Sequence, residues 1–445
     1  MHSSNVAAQL VSHVAGFRDG AWDRLVKRRA ELCLLDSLGC FSAGRSLQHY
    51  ALCANVARQL FGAASDGSRP SPFLMAYLYG QAANALDYDD TLLGHPGAPV
   101  IGAVLAAGAR GNLPVDRLLR GMAAGYEVHG ILAAAATPSR ERAAQVRSVG
   151  VWDTVAASIG AGIALGLEDG ILQRAIGIAV PHSLLPYTAK WYERPVPGMK
   201  NNFGWAAAGA VLSIDLALAG QTGITNALDG DAGMWRMAGS DRWEFVRHQG
   251  GKPAMLRVAF KPFPVCWHMQ EYLKTFSNML ASMPADEQIA GITLAGPQEI
   301  EKFCRAEILG SADIAFSLPA AFSLMISRIA PGPAWDSFDD RADALRFRAL
   351  FRHQRSEDRT LSLRMRSGLD LTATVDTSDS SDPAPWGLNE DGVLEKHRRL
   401  ADTDLQLAAA ALLDANQSGG EAMNRFYAVL ECMTAKASNG GRTEA

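Results

Sequence analysis

Residues 205–219 read Trp-Ala-Ala-Ala-Gly-Ala-Val-Leu-Ser-Ile-Asp-Leu-Ala-Leu-Ala, with apolar side chains three and four apart. That spacing predicts a buried helix. Asp215 and the flanking glycines Gly204 and Gly220 argue against a membrane span. The same pattern recurs outward at Trp22–Ala43, Ser71–Leu93, Val115–Ala135 and Thr154–Gly166, divided by Gly, Pro and Ser clusters. From Pro264 the character changes. Ile289–Ala295 alternates and is β-branched at several positions, which predicts a strand. Thr360–Arg366 and Leu369–Val375, joined at Ser367-Gly368, predict a hairpin. Helical runs at Cys266–Met279, Leu318–Ile329 and Asp343–Arg352 lie among these strands, and Asp376–Pro385 is a Ser/Asp/Pro loop. Helices return at Asp391–Thr403 and Asn424–Thr434.

This order predicts a mostly-α protein with a large all-helical main domain built from both ends of the chain, residues 1–263 and 396–437. A smaller α+β lid domain occupies 264–395, and 438–445 forms a flexible tail. A cleft between main domain and lid is the natural place for a small-molecule substrate.

Composition narrows the function. The chain has 445 residues, is 48% hydrophobic and 20% charged, and carries a formal net charge of −4. That balance gives no basis for binding nucleic acid or an anionic membrane. The N-terminus, Met1-His2-Ser3-Ser4, lacks the basic-then-apolar profile of a signal peptide, so the expected location is cytoplasmic. Cys33, Cys40, Cys53, Cys266, Cys304 and Cys432 are scattered without a C-x-x-C pair. Disulfides, an iron–sulfur cluster and a zinc site are therefore not expected, and the chemistry is expected to run without metal or cofactor.

Three stretches could carry chemistry. In Ala85-Leu86-Asp87-Tyr88-Asp89-Asp90-Thr91, followed by His95-Pro96-Gly97, carboxylates, a hydroxyl and an imidazole crowd beside apolar helices. Charges are placed there only when paired or used. If the helix from Ser71 continues to Leu93, Asp87 and Thr91 share one face and His95 lies at its exit. A solvated helix end is the plain alternative. An aspartate-rich magnesium site, as in terpenoid synthases, lacks its second downstream motif. In Gly198-Met-Lys-Asn-Asn-Phe-Gly204, Lys200 precedes a helix N-terminus, a good place to hold a carboxylate, though exposed lysines often precede helices. In Phe260-Lys-Pro-Phe-Pro-Val-Cys-Trp-His268, Lys261 sits among apolar residues where it needs a counter-charge or must snorkel. Cys266 reads as buried rather than nucleophilic, and His268 as a helix-face residue or a second acid/base.

Together, in this order, these motifs resemble the MmgE/PrpD family of 2-methylcitrate dehydratases, cis-aconitate decarboxylases and iminodisuccinate epimerases. Leu34-Leu-Asp-Ser-Leu-Gly39, Gly125-Tyr-Glu-Val128, Gln221-Thr-Gly223 with Leu228-Asp-Gly230, Phe316-Ser-Leu-Pro319 and Leu394-Glu-Lys-His397 extend the resemblance over roughly residues 20–435. The last two resemble the family's lid-domain signatures. The resemblance implies a homodimer with the active site between helical domain and lid. It also implies catalytic roles for Asp87, His95, Lys200 and Lys261 and a substrate-holding role for Thr91.

Three positions depart from the family pattern. Trp152 stands where a G-F-H-P-T histidine is usual, Ala320 where F-S-L-P-Y has its tyrosine, and Gln270 where a histidine is frequent. These changes remove polar groups from the expected pocket, which Trp152, Ala320 and His268 are expected to line, and add an indole, so the expected substrate differs from methylcitrate or cis-aconitate and has a larger or more apolar part. The implied chemistry is proton transfer at a carbon next to a carboxylate. Its carbanion-like transition state needs nearby positive charge, supplied by Lys200 and Lys261. An imidazole suits acid/base work near neutral pH, which gives His95 that role. Dehydration is the expected outcome; decarboxylation, epimerisation and a catalytically silent carboxylate-binding homologue are the alternatives.

Overall fold

Small residues let the central helices approach closely. In the computed structural model, which describes residues 5–62, 69–147, 149–245, 251–336, 343–376, 383–414 and 420–435, Phe203–Leu218 packs against Pro72–Asn84. A Cβ on Gly204 would lie 2.3 Å from the Tyr77 carbonyl, and one on Gly80 would lie 2.8 Å from that of Phe203. Only glycine permits that separation. Gly97–Gly111, Val115–Ala135, Asp153–Leu165 and Asp169–Ala179 complete the bundle around these two.

The end of the chain returns to the start. Glu390–Leu400 packs along Arg24–Gly44, and Thr403–Leu413 and Gly420–Ala435 follow it. One hydrophobic core accordingly joins Val6–Phe260 residues with Val393–Met433 residues. The Leu394–His397 motif, which resembles a lid signature, is thus part of the helical body here: Lys396 and His397 are buried against it.

A second core belongs to the α+β part and unites Val265 to Val375 with Trp191 and Val196. Its sheet has the order β4-β3-β5-β6, with β3 Ile289–Gly296, β4 Phe351–Arg355, β5 Thr360–Met365 and β6 Asp370–Thr374. β3 runs parallel to β4 and antiparallel to β5, and β5–β6 is the expected hairpin, turned at Gly368 with φ 96°. Helices Gln270–Ser282 and Leu318–Ile326 pack together beside it, with Phe276 stacked on Phe322 at 4.2 Å. A two-stranded ribbon, β1 Val146–Arg147 and β2 Tyr187–Thr188, lies apart from this sheet. Mostly-α with a smaller α+β region is therefore the architecture.

Two expectations fail locally. The helix from Ser71 stops at Asn84, not Leu93, because the following residues are drawn into tertiary bonds: Thr91 pairs with Ala259 as an isolated antiparallel bridge. The 343–352 segment is a 3-10 turn, Ala344–Leu350, running into β4, whose polar sequence Phe-Arg-His-Gln-Arg hides its pairing with β3. The tail at 438–445 and most of the 376–385 loop lie outside the described residues. No described helix is long and apolar enough to cross a membrane.

Candidate active site

The chain leaves the Pro72–Asn84 helix and turns sharply, which sets Asp87 in the left-handed region at φ 53°. Aspartate tolerates that conformation better than most residues. The turn aims its carboxylate inward, where only 1% of the side chain is exposed. Lys261 Nζ donates to Asp87 Oδ1 at 2.5 Å and to the Asp87 carbonyl at 2.9 Å. The buried lysine thus finds the counter-charge that its apolar surroundings required. Burial by itself would raise the Asp87 pKa, but Lys261, His95 and Lys200 outweigh it and hold the carboxyl well below the usual range. Asp87 Oδ2 has no hydrogen-bond partner among the described residues.

His95 does not close the preceding helix; it lies just before Pro96, the N-cap of Gly97–Gly111. Its Nε2 is 3.7 Å from Asp87 Oδ1 and its Nδ1 is 3.5 Å from Asp89 Oδ1. Asn84 Nδ2 donates to Asp89 Oδ1 at 2.8 Å, and Asn201 Nδ2 donates to Asn84 Oδ1 at 2.8 Å. The imidazole therefore sits between two carboxylates, one tied to Lys261 and the other to an asparagine chain that ends beside Lys200. Lys200 itself donates to the Ala85 carbonyl at 3.1 Å and lies 3.7 Å from Asp336 of the α+β part. Asp336 also meets His49 at 3.5 Å, so one carboxylate joins the two parts of the molecule at the site.

A second charged layer supports the first. Lys396 Nζ forms an ion pair with Asp36 Oδ1 at 2.8 Å and donates to the Tyr88 carbonyl at 2.5 Å and to the Lys261 carbonyl at 3.3 Å. It thereby holds both loops that carry the Asp87–Lys261 pair. Asp90 accepts from Tyr126 Oη at 2.5 Å, and burial, followed by the charge of Asp36, pushes its carboxyl up to about 7. Burial also pushes the Cys266 thiol up to about 11, so it stays a thiol near neutral pH.

Asp87, His95, Lys200 and Lys261 are thus brought together. His268 stands close enough that the charges of Lys302, Arg147 and His95 act on it. Its side chain is exposed. The other three expected residues make local contacts of their own. The Thr91 hydroxyl donates to the Gly94 carbonyl at 2.7 Å and shapes the turn. Trp152 is 3% exposed in the helical core, 6.2 Å from the ring of Trp243. Ala320 is buried at the start of Leu318–Ile326, its amide donating to the Ser317 Oγ cap. Trp152 and Ala320 are as deeply buried as Asp87, His95, Lys200 and Lys261 themselves.

Asp89, within the acidic motif, reads from the sequence as structural, yet it contacts His95. Asn201, inside the lysine motif, is given no role, and Asn84 and Asp336 belong to no motif. Asp87, Asp89 and His95 also offer three ligand atoms within 4.8 Å of one another. A cation there would lie beside the Lys261 ammonium, whose like charge disfavours it.

What the cluster can do follows from its charges. A buried imidazole next to two ammonium groups can exchange a proton with a carbon whose neighbouring carboxylate those ammonium groups neutralise. No curated protein matches the chain in a sequence comparison. The family model for the MmgE/PrpD N-terminal domain matches residues 8–245, more than half of the length. The chain belongs to the MmgE/PrpD family.

Proposed function

We propose that this protein is a lyase that moves a proton at a carbon next to a carboxylate, with dehydration of a hydroxy-di- or tricarboxylate as its reaction. Members of the family are typically lyases of the dehydratase type. The observation that carries the reading is the buried Lys261–Asp87–His95 cluster with Lys200 beside it. His95 takes the proton from carbon. Lys200 and Lys261 stabilise the negative charge that develops on the adjoining carboxylate. The C–O bond then breaks, and the departing hydroxide, given a proton by a neighbouring ammonium, leaves as water. Asp87 is held too acidic to serve as an effective base near neutral pH, so its task is to fix Lys261 and tune His95.

The homodimer is likewise a proposal. Leu52, Val56 and Leu60 form an exposed stripe four residues apart on the helix Gln48–Phe61, a face that a second copy would cover. The activity is tested by incubating the protein with a polycarboxylate panel in deuterated water and following exchange and turnover by NMR. Exchange at the carbon next to a carboxylate, lost in His95→Ala, is the expected result. Binding without any exchange would favour a silent homologue and end the lyase reading.

A further inference from the structure

Arg147 closes strand β1 and reaches over three aromatic rings. Its guanidinium carbon lies 4.1 Å from the ring centroid of Trp191, 5.8 Å from that of Tyr187 and 5.9 Å from that of Tyr192. Lys302, on the short 3-10 segment Gln298–Phe303 of the α+β part, approaches the same Tyr192 ring, its ammonium 4.6 Å from the centroid. Two cations thus converge on one ring from opposite sides of the domain boundary.

Neither cation forms an ion pair with a carboxylate among the described residues. For Lys302 this is not for want of neighbours. Glu299 and Glu301 flank it on the same segment, but Glu299 pairs with Arg140 and Glu301 pairs with Arg355. The acids turn outward to arginines while the lysine turns inward. Arg147 Nη1 donates to Asn201 Oδ1 at 2.9 Å, and Asn201 begins the asparagine chain that reaches Asp89 and His95. His268 lies close by: burial, Lys302 and Arg147 lower its pKa to about 3, so it stays neutral. Lys302 is lowered by burial first, with Arg147 adding to it. Cation–π contacts offset part of the cost of this convergence, but two like charges brought to one partly desolvated ring still have no carboxylate partner among the described residues.

We infer that Arg147 and Lys302 form an anion subsite that binds a second carboxylate of the ligand and ties the α+β part to the helical part over the reacting centre. The inference rests on the lyase reading and adds to it which residues measure the substrate's length and charge. One carboxylate lies by Lys200 and Lys261, next to the carbon that exchanges its proton. A further carboxylate lies between Arg147 and Lys302. A monocarboxylate leaves the second site empty.

Isothermal titration calorimetry on the full chain tests this with two unreactive probes, tricarballylate, a saturated tricarboxylate without a leaving group, and butyrate. Wild type should bind tricarballylate more tightly than butyrate. Lys302→Gln and Arg147→Gln should each weaken tricarballylate by at least ~10-fold, the loss of one charge-assisted contact. Butyrate affinity should stay within ~2-fold in both variants, because its single carboxylate needs neither residue. Equal wild-type affinity for the two probes, no detectable tricarballylate binding, or unchanged tricarballylate affinity in Lys302→Gln would each overturn the subsite. Lys302 is only half-buried, so that variant remains informative even if Arg147→Gln fails to fold. Tight, Lys302-dependent binding without any deuterium exchange would overturn the lyase reading and keep the subsite. Exchange with Lys302-independent binding would do the reverse.

Discussion

Replacing Lys396 by methionine should expose how much the buried layer beneath the site contributes. Methionine keeps most of the side-chain volume, so the change removes charge and hydrogen bonds rather than packing. Lys396 is 2% exposed, forms an ion pair with Asp36 and donates to the Tyr88 and Lys261 carbonyls. Without it, a fully buried Asp36 keeps no counter-charge in contact. Breaking a buried pair from one side costs about 3–5 kcal/mol. The penalty depends on pH in a definite direction. Burial already raises the Asp36 pKa, and Lys396 holds that rise in check; the variant raises it further. An acid with a raised folded-state pKa contributes stability that is present below its unfolded value and is lost as pH rises through the folded one. Lys396→Met should therefore lose more stability at pH ~8 than at pH ~5, where Asp36 can hold a proton. Urea midpoints measured at both values give the difference. The double variant Lys396→Met/Asp36→Leu should recover much of the loss. A single-variant cost under about 1 kcal/mol, or one that is the same at both pH values, would refute the assignment of a coupled buried pair.

Four further outcomes are expected. Asp90→Asn should become steadily less costly relative to wild type between pH ~4 and ~7 in unfolding titrations, because Asp90, raised to about 7, loses its proton-linked stability across that range. Once a substrate is found, His95→Ala and Lys200→Ala should each lower kcat by at least ~10²-fold; near-normal rates would move the site elsewhere. Trp152→Ala should cost about 3–5 kcal/mol by thermal or urea unfolding and leave substrate preference unchanged, since its ring fills the helical core. Val56→Glu/Leu60→Glu should convert a homodimer to monomer in light scattering; an unchanged mass would place the interface on another face.

Helix positions were legible because small and apolar residues repeat with helical spacing over long stretches. Val115–Ala135 is reproduced residue for residue, and the bounds predicted as Thr154–Gly166 and Trp205–Ala219 shift by only one or two. The Ser71 helix was overextended because Ala85-Leu86 continues the apolar pattern while Asp87 turns to meet Lys261, a partner 174 residues later. β4 was missed because its residues alternate too weakly to signal a strand and owe their extended form to pairing with β3. At the site, Asp87, His95, Lys200 and Lys261 could be named from motif chemistry. Trp152 and Ala320 could not be judged that way, because a motif position does not say whether a side chain faces the site or a core.

By itself, then, the sequence determined a helical body, a small α+β part, the family, and four residues with the chemistry for proton transfer beside a carboxylate. Those features are local: spacing sets helices, and residue type sets what an atom can donate or accept. Only the tertiary structure decided how the charges are shared. It gave Asp87 to Lys261, placed His95 between two carboxylates, set Lys396 beneath both loops and left Arg147 and Lys302 without an acid partner among the described residues. Pairing of charges far apart in sequence depends on how helices close over one another, and the energy of each pair depends on the burial that this closure creates.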